Sequence, residues 1–150
     1  MPTAISEAIA RQQLHQYFIE TLRRLPRELS LSRSNPAVPR AEFTTGITLP
    51  CDDGDAGPKY FDIRYWLIGV TPATSDTHFD LVVTAWASMR WPTGTDRAAR
   101  PRAAFCRTPD HYGLTIQQSV DGHLSLSGST PPFLTDATGG EPLPASIAHP

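Results

Sequence analysis

Three aspartates, Asp52, Asp53 and Asp55, surround Gly54, and such a cluster offers the hard oxygen donors that calcium prefers. An EF-hand loop would complete the site with a bidentate Glu at its twelfth position. Here that position, eleven residues after Asp52, is Ile63, so the cluster reads as a solvated hairpin loop and no metal is expected. His15, His78, His111, His123 and His149 are scattered without an HExxH or a paired ligand spacing, and they read as surface residues. His111 and His123 flank one expected hairpin, so their approach is worth inspecting; zinc would need a third ligand beside them. Cys51 and Cys106 stand alone, without a CxxC or a His-rich neighbour. They read as two buried thiols, with a single disulfide as the alternative, which would favour an oxidising compartment. Ser127-Gly128-Ser129-Thr130 lacks the GxSxG elbow of an activated serine, and any triad would have to be assembled in space. Neither GxGxxG nor GxxxxGK[ST] occurs, so no nucleotide cofactor is expected.

The strongest local electrostatic feature is the run Arg90, Arg97, Arg100, Arg102 and Arg107, opposed in that stretch by Asp96 and interleaved with Trp91. Guanidinium groups grip phosphate or carboxylate in bidentate fashion, and an exposed indole can stack a base. Trp91, Arg97, Arg100, Arg102 and Arg107 are therefore the candidate binding residues. The bland counterpart is a solvated loop whose arginines pair with Asp52, Asp53, Asp55 or Asp62. A third reading places Trp91 beside a protein-binding groove. Lys59 is the only lysine of the chain, a bias that suits anion recognition and that a GC-rich coding sequence also produces.

These residues must be positioned by one small core. A chain of 150 residues, 39% hydrophobic and 19% charged, is apolar enough to fold as one domain and too weakly charged to read as a disordered tail. The net charge of −2 sets up no global field toward nucleic acid, an anionic membrane or a polycation. No stretch reaches the roughly 18 apolar residues of a membrane span, and the start lacks the basic and apolar regions of a signal peptide. As written the chain reads as cytoplasmic, and as exported if a leader once preceded residue 1.

Ile5, Ile9, Leu14, Phe18, Leu22 and Leu25 recur near helical spacing, which predicts a helix over 3–25, capped by Thr3 and stopped by Pro26. Residues 27–40, with Asn35-Pro36 and Pro39, read as an irregular connection. Strands are expected over 43–49 and 60–70, with Phe61, Ile63, Tyr65 and Leu67 facing the helices and Tyr60, Asp62, Arg64 and Trp66 facing away. A second helix over about 76–90, capped by Ser75 or Asp76, follows from the stripe Phe79, Val82, Val83, Trp86 and Met89. Its run Leu81-Val82-Val83-Thr84 could instead make a strand, but caps and stripe outweigh that propensity. Strands are expected again over 103–107, 112–119 and 123–127, the last two joined at Asp121-Gly122. The fold class is thus α+β, a two-layer sandwich with two helices on one face of an antiparallel sheet in the order α-β-β-α-β-β-β. A single domain spans 1–130. Residues 131–150 form a Pro/Gly-rich tail expected to hold no regular element.

Tyr112-Gly113-Leu114-Thr115-Ile116, followed by Asp121-Gly122-His123-Leu124-Ser125-Leu126-Ser127-Gly128-Ser129-Thr130-Pro131, resembles the closing hairpin of small LppA-like actinobacterial lipoproteins and related actinobacterial proteins. The element order over residues 3–130 is similar as well. The chain departs from the lipoprotein pattern in lacking a leader and the lipid-bearing Cys, and Pro131-Pro132-Phe133 stands where a Cys often follows. The resemblance implies a similar fold and supplies no catalytic residue. On these grounds the function expected is that of a non-enzymatic protein-binding or accessory module with an unnamed protein partner. The alternative is an anion or nucleic-acid binder using residues 90–107. A small enzyme with a spatially assembled site comes third.

Overall fold

The computed structural model describes residues 5–51, 57–134 and 140–150. The acidic cluster Asp52, Asp53 and Asp55 and the cap expected at Thr3 lie outside the described residues. In chain order the elements are α1 (Glu7–Arg23), β1 (Ser30–Ser32), β2 (Ile47–Pro50), β3 (Lys59–Ile68), α2 (Ser75–Ser88), β4 (Thr93–Arg97), β5 (Ala103–Arg107), β6 (Gly113–Gln118), β7 (Leu124–Ser129) and β8 (Ser146–Ile147). The strands form one antiparallel sheet, ordered β4-β5-β6-β7-β3-β1-β8, with β2 paired to the first half of β3 beside β1. The expected two-layer α+β sandwich, with both helices on one face, is what the chain adopts.

Helix α1 begins at Ser6, whose side chain accepts the Ile9 N–H at 3.1 Å, with Glu7 in the positive first turn. Its buried stripe is Ala10, Leu14, Phe18, Thr21 and Leu22. Ile9 falls outside that stripe and is 57% exposed, because a position one residue before Ala10 turns about 100° away from the core. Helix α2 starts at Thr74 without a side-chain cap. Of the two caps expected, the Ser75 hydroxyl instead accepts from the Gln118 amide at 2.7 Å, tying the helix to β6. Asp76 also accepts from Gln118 and stands beside Arg102 and Arg100. The Gln118 hydrogen bond, with those guanidinium groups, holds the Asp76 carboxyl below its ordinary range.

The inward face of β3 is as the alternation requires: Phe61, Ile63, Tyr65 and Leu67 are all buried against the helices. Its other face is not uniformly wet, since Trp66 is buried too. The segment before β2 folds over it, stacking Phe43 on the indole at 4.7 Å between ring centroids, while the indole N–H donates to the Ala41 carbonyl at 2.7 Å. Phe43 is thus spent on Trp66 rather than on a strand, and β2 starts later than the expected 43.

Three short strands were not expected. The supposedly irregular 27–40 connection contains β1, β4 lies in the Pro- and Arg-rich loop, and β8 lies in the tail. The tail also sends Phe133, Leu143 and Ile147 into the core, and the Pro144 carbonyl accepts the Tyr65 hydroxyl at 2.8 Å. Strand β4 pairs with β5 through a register shift between Thr95 and Arg97, which makes Asp96 a bulge.

The two thiols are unpaired, Cys51 exposed and Cys106 buried, which corrects the expectation of two buried thiols. Burial pushes the Cys106 thiol up to about 12. A thiol reagent at neutral pH should therefore label Cys51 quickly and Cys106 only on unfolding; two fast thiols would contradict the packing of β5. The folded protein binds a proton at Cys106 that the unfolded chain loses above about pH 8.5. Stability from this group is consequently full below that pH and falls as the pH climbs toward 12.

Candidate functional site

The pairing registers place side chains of the helix-free sheet face in rows running from β3 across β7 and β6 to β5. The first row is Asp62, Ser129, Gly113 and Arg107, and the second is Arg64, Ser127, Thr115 and Phe105. The third runs Trp66, Ser125, Gln117 and Ala103. The two middle strands thus present only Ser, Gly, Thr and Gln, while in the first two rows the outer strands carry longer side chains. The result is a trough of about 520 Å³ with a low hydroxyl-bearing floor and walls on β3 and β5.

Local packing fixes the walls. On the β3 side the Arg64 guanidinium lies 5.6 Å from the centroid of the Phe43 ring, itself stacked on Trp66. Asp62 accepts the Ser129 hydroxyl at 2.9 Å. On the β5 side Phe105 is 46% exposed and leans over the neighbouring edge strand. A Cβ at Gly94 would lie 2.7 Å from the Phe105 ring, so the glycine is what lets the ring lie flat there. Nothing stands within 4 Å of a Cβ built on Gly113, which leaves the middle of the floor open. Gly128, one residue from the floor serines, faces the opposite way, where its Cβ would meet Leu14 and Phe18 at 2.7 and 2.8 Å.

The candidate binding residues divide between the two faces. Arg107 lines the trough, and Arg97 lies beyond it on β4, opposite Ala103. Arg100 and Arg102 turn to the helix side: Arg102 pairs with Asp80 at 2.6 Å and Asp76 at 3.4 Å and covers the Phe79 ring, and Arg100 pairs with Asp76 at 3.5 Å. Their described partners are thus on α2, and not Asp62. Trp91 is only 8% exposed, edge-on to Tyr17 at 5.1 Å, so its ring is unavailable for stacking a base. Arg90 is exposed at the end of α2, with a φ of 62°.

His111 and His123 do not meet. The whole of β6 separates them, His111 before its first residue and His123 beyond the turn after its last. Among the described residues no group of three or more His, Cys, Asp or Glu could hold a metal ion. The surface reading of the histidines fails at His78, which is buried with an unpartnered Nδ1. The Asp110 carboxylate accepts from both Tyr17 and Thr108 at 2.6 Å, and that cluster locks the β5–β6 connection onto α1. Burial, reinforced by the Asp110 hydrogen bond, raises the Tyr17 hydroxyl above its ordinary range.

Ser127, Ser129, Thr115, Gly113, Asp62, Arg64 and Phe105 were not among the binding residues that charge alone suggests. The available signal was alternation, since Ser125, Ser127 and Ser129 occupy every second position of one strand. The comparisons add no relative to this geometry: no family model, no curated protein and no solved structure matches the chain.

Proposed function

We propose that this protein is a non-enzymatic protein-binding or accessory module whose contact surface is the trough on the helix-free face of the sheet. The observation that carries the reading is the trough's construction, a floor of small hydroxyl side chains between walls bearing Asp62 and Arg64 on one side and Phe105 and Arg107 on the other. Surfaces that recognise polypeptide combine fixed aromatic and arginine groups with adaptable hydroxyls. Two observations weigh against reading the same surface as a nucleophile site. The nearby Cys106 thiol is buried and held protonated, and the Ser129 hydroxyl is bonded to Asp62. Nucleic-acid binding through residues 90–107 has less support, because Trp91 is buried and Arg100 and Arg102 are already neutralised by Asp76 and Asp80. Kinship with LppA-like lipoproteins belongs to the same proposal and rests on the β6–β7 hairpin and the element order.

A photo-crosslinking residue at Thr115, on the trough floor, is expected to form a discrete protein adduct in cells expressing the protein. The same residue at Thr77, exposed on α2, is expected to form none. Equal background labelling from both positions would sink the reading.

A further inference from the structure

We propose that the polypeptide received by the trough is a second copy of this chain, bound face to face about a two-fold axis that runs parallel to the strands between β6 and β7. The inference rests on the protein-binding reading above and names its partner. Such an axis keeps each residue's position along the strands and exchanges the two walls, so the β3 wall of one copy meets the β5 wall of the other. In the first row it sets Asp62 opposite the partner's Arg107. In the second it sets Arg64 opposite the partner's Phe105. Both matches occur twice by symmetry.

Among the described residues these groups keep unused capacity: Asp62 accepts the Ser129 hydroxyl on one of its two oxygens. Among the described residues neither Asp62 nor Arg107 makes an ion pair, whereas Arg100 and Arg102 do. Arg64 has one face of its guanidinium over Phe43 and is otherwise exposed. Phe105 is a large exposed ring leaning outward over Gly94, away from the trough floor. The two-fold operation therefore brings the partner's Phe105 over the open face of Arg64, sandwiching the guanidinium between two rings. Floor then faces floor, so the walls make the contact and the small hydroxyl-bearing floors bound a wet gap between sheets that lie about 10 Å apart with strands nearly aligned.

The footprint is small. Four strands span about 14 Å between the outer two, and six residues run about 20 Å, so each copy contributes about 300 Å², well below the roughly 800 Å² per partner of a stable specific interface. The dimer is accordingly weak, concentration-dependent and salt-sensitive, because exposed ion pairs are screened.

Sedimentation of the full chain over a concentration series at low and high salt tests this. Self-association is expected, weakened about tenfold or more by Asp62→Arg, by Arg107→Asp and by Phe105→Ser, a loss of about 1.4 kcal/mol per factor of ten. The charge-swapped double variant D62R/R107D should recover most of the wild-type association. Arg100→Gln, on the helix side, should leave it unchanged. Circular dichroism of each variant checks folding, and Phe105→Ser keeps the test open if Asp62→Arg disturbs the Ser129 contact. A monomer at every concentration, a dimer indifferent to these substitutions, or a double variant no better than the singles would each overturn the proposal. A monomer that still forms a Thr115 adduct with a different protein would leave the binding reading standing and remove only the second copy.

Discussion

Replacing Trp86 with alanine is expected to lower the unfolding free energy by about 3–5 kcal/mol, the range for removing a large aromatic from a packed core. Trp86 is fully buried on α2, and its indole N–H donates to the Thr21 hydroxyl of α1 at 3.2 Å. That hydroxyl in turn donates to the Tyr17 carbonyl at 2.9 Å. The substitution thus leaves a cavity between the two helices and takes a donor from a buried hydroxyl, two losses that compound. A domain of this size has roughly 5–15 kcal/mol in total, so urea denaturation should show a large fall in midpoint or a protein that no longer folds at 37 °C. Trp86→Phe should recover much of the packing but not the hydrogen bond. If Trp86→Ala shifted the midpoint by less than about 1 kcal/mol equivalent, the close packing of α1 on α2 would be wrong.

Removing residues 140–150 is expected to destabilise the protein by an amount of the same order. Leu143 and Ile147 are 6% and 5% exposed, and burying such side chains contributes about 1.5–3 kcal/mol each. The truncation would also expose the outer edge of β1, which pairs with β8 through Leu31 and Ser32. The buried Tyr65 hydroxyl would lose the Pro144 carbonyl as its acceptor. His149 would be lost too, and with it the contact of its Nε2 with the Leu25 carbonyl at 2.8 Å. Thermal melts of the truncated and full chains compare these effects directly. An unchanged Tm would mean that the last eleven residues merely lie on the surface. Ile147→Asp offers a single-residue version, and Ile147→Val, which keeps an apolar side chain there, should lose far less.

The elements that could be read from the chain were those whose own side chains specify them. The stripe Phe79, Val82 and Trp86 marks α2 even though Leu81-Val82-Val83-Thr84 leans toward strand, because three large groups on one face need burial together. Asp121-Gly122 marks the β6–β7 turn, where Gly122 takes a φ of 86° that other residues resist. Strands β1, β4 and β8 could not be read this way. Thr93-Gly94-Thr95-Asp96-Arg97 has little apolar alternation, and β8 has only two residues, so each exists because a neighbouring strand offers it hydrogen bonds. The site suffered in the same way. Arg107 stands out by charge, but the serines of β7 acquire meaning only once β7 is known to lie between β3 and β6. Nothing local announces that neighbour, since β3 and β7 are separated in the chain by one helix and three strands and meet only in the folded sheet.

The bulge at Asp96 bears on how concentrated this protein can become before it aggregates. An open sheet ends in unpaired backbone donors and acceptors, which template the addition of further strands and, eventually, fibres. At one end β4 is twisted by the bulge, preceded by Pro92 and finished with Asp96 and Arg97, features that resist such addition. At the other end, where β1 and β2 branch side by side from β3, β8 offers only Ser146 and Ile147 and β2 only four residues closing in Pro50, short templates for recruiting a strand. Runaway growth along the hydrogen-bonding direction is thereby discouraged at both ends, so the protein should tolerate crowded, high-concentration conditions without polymerising.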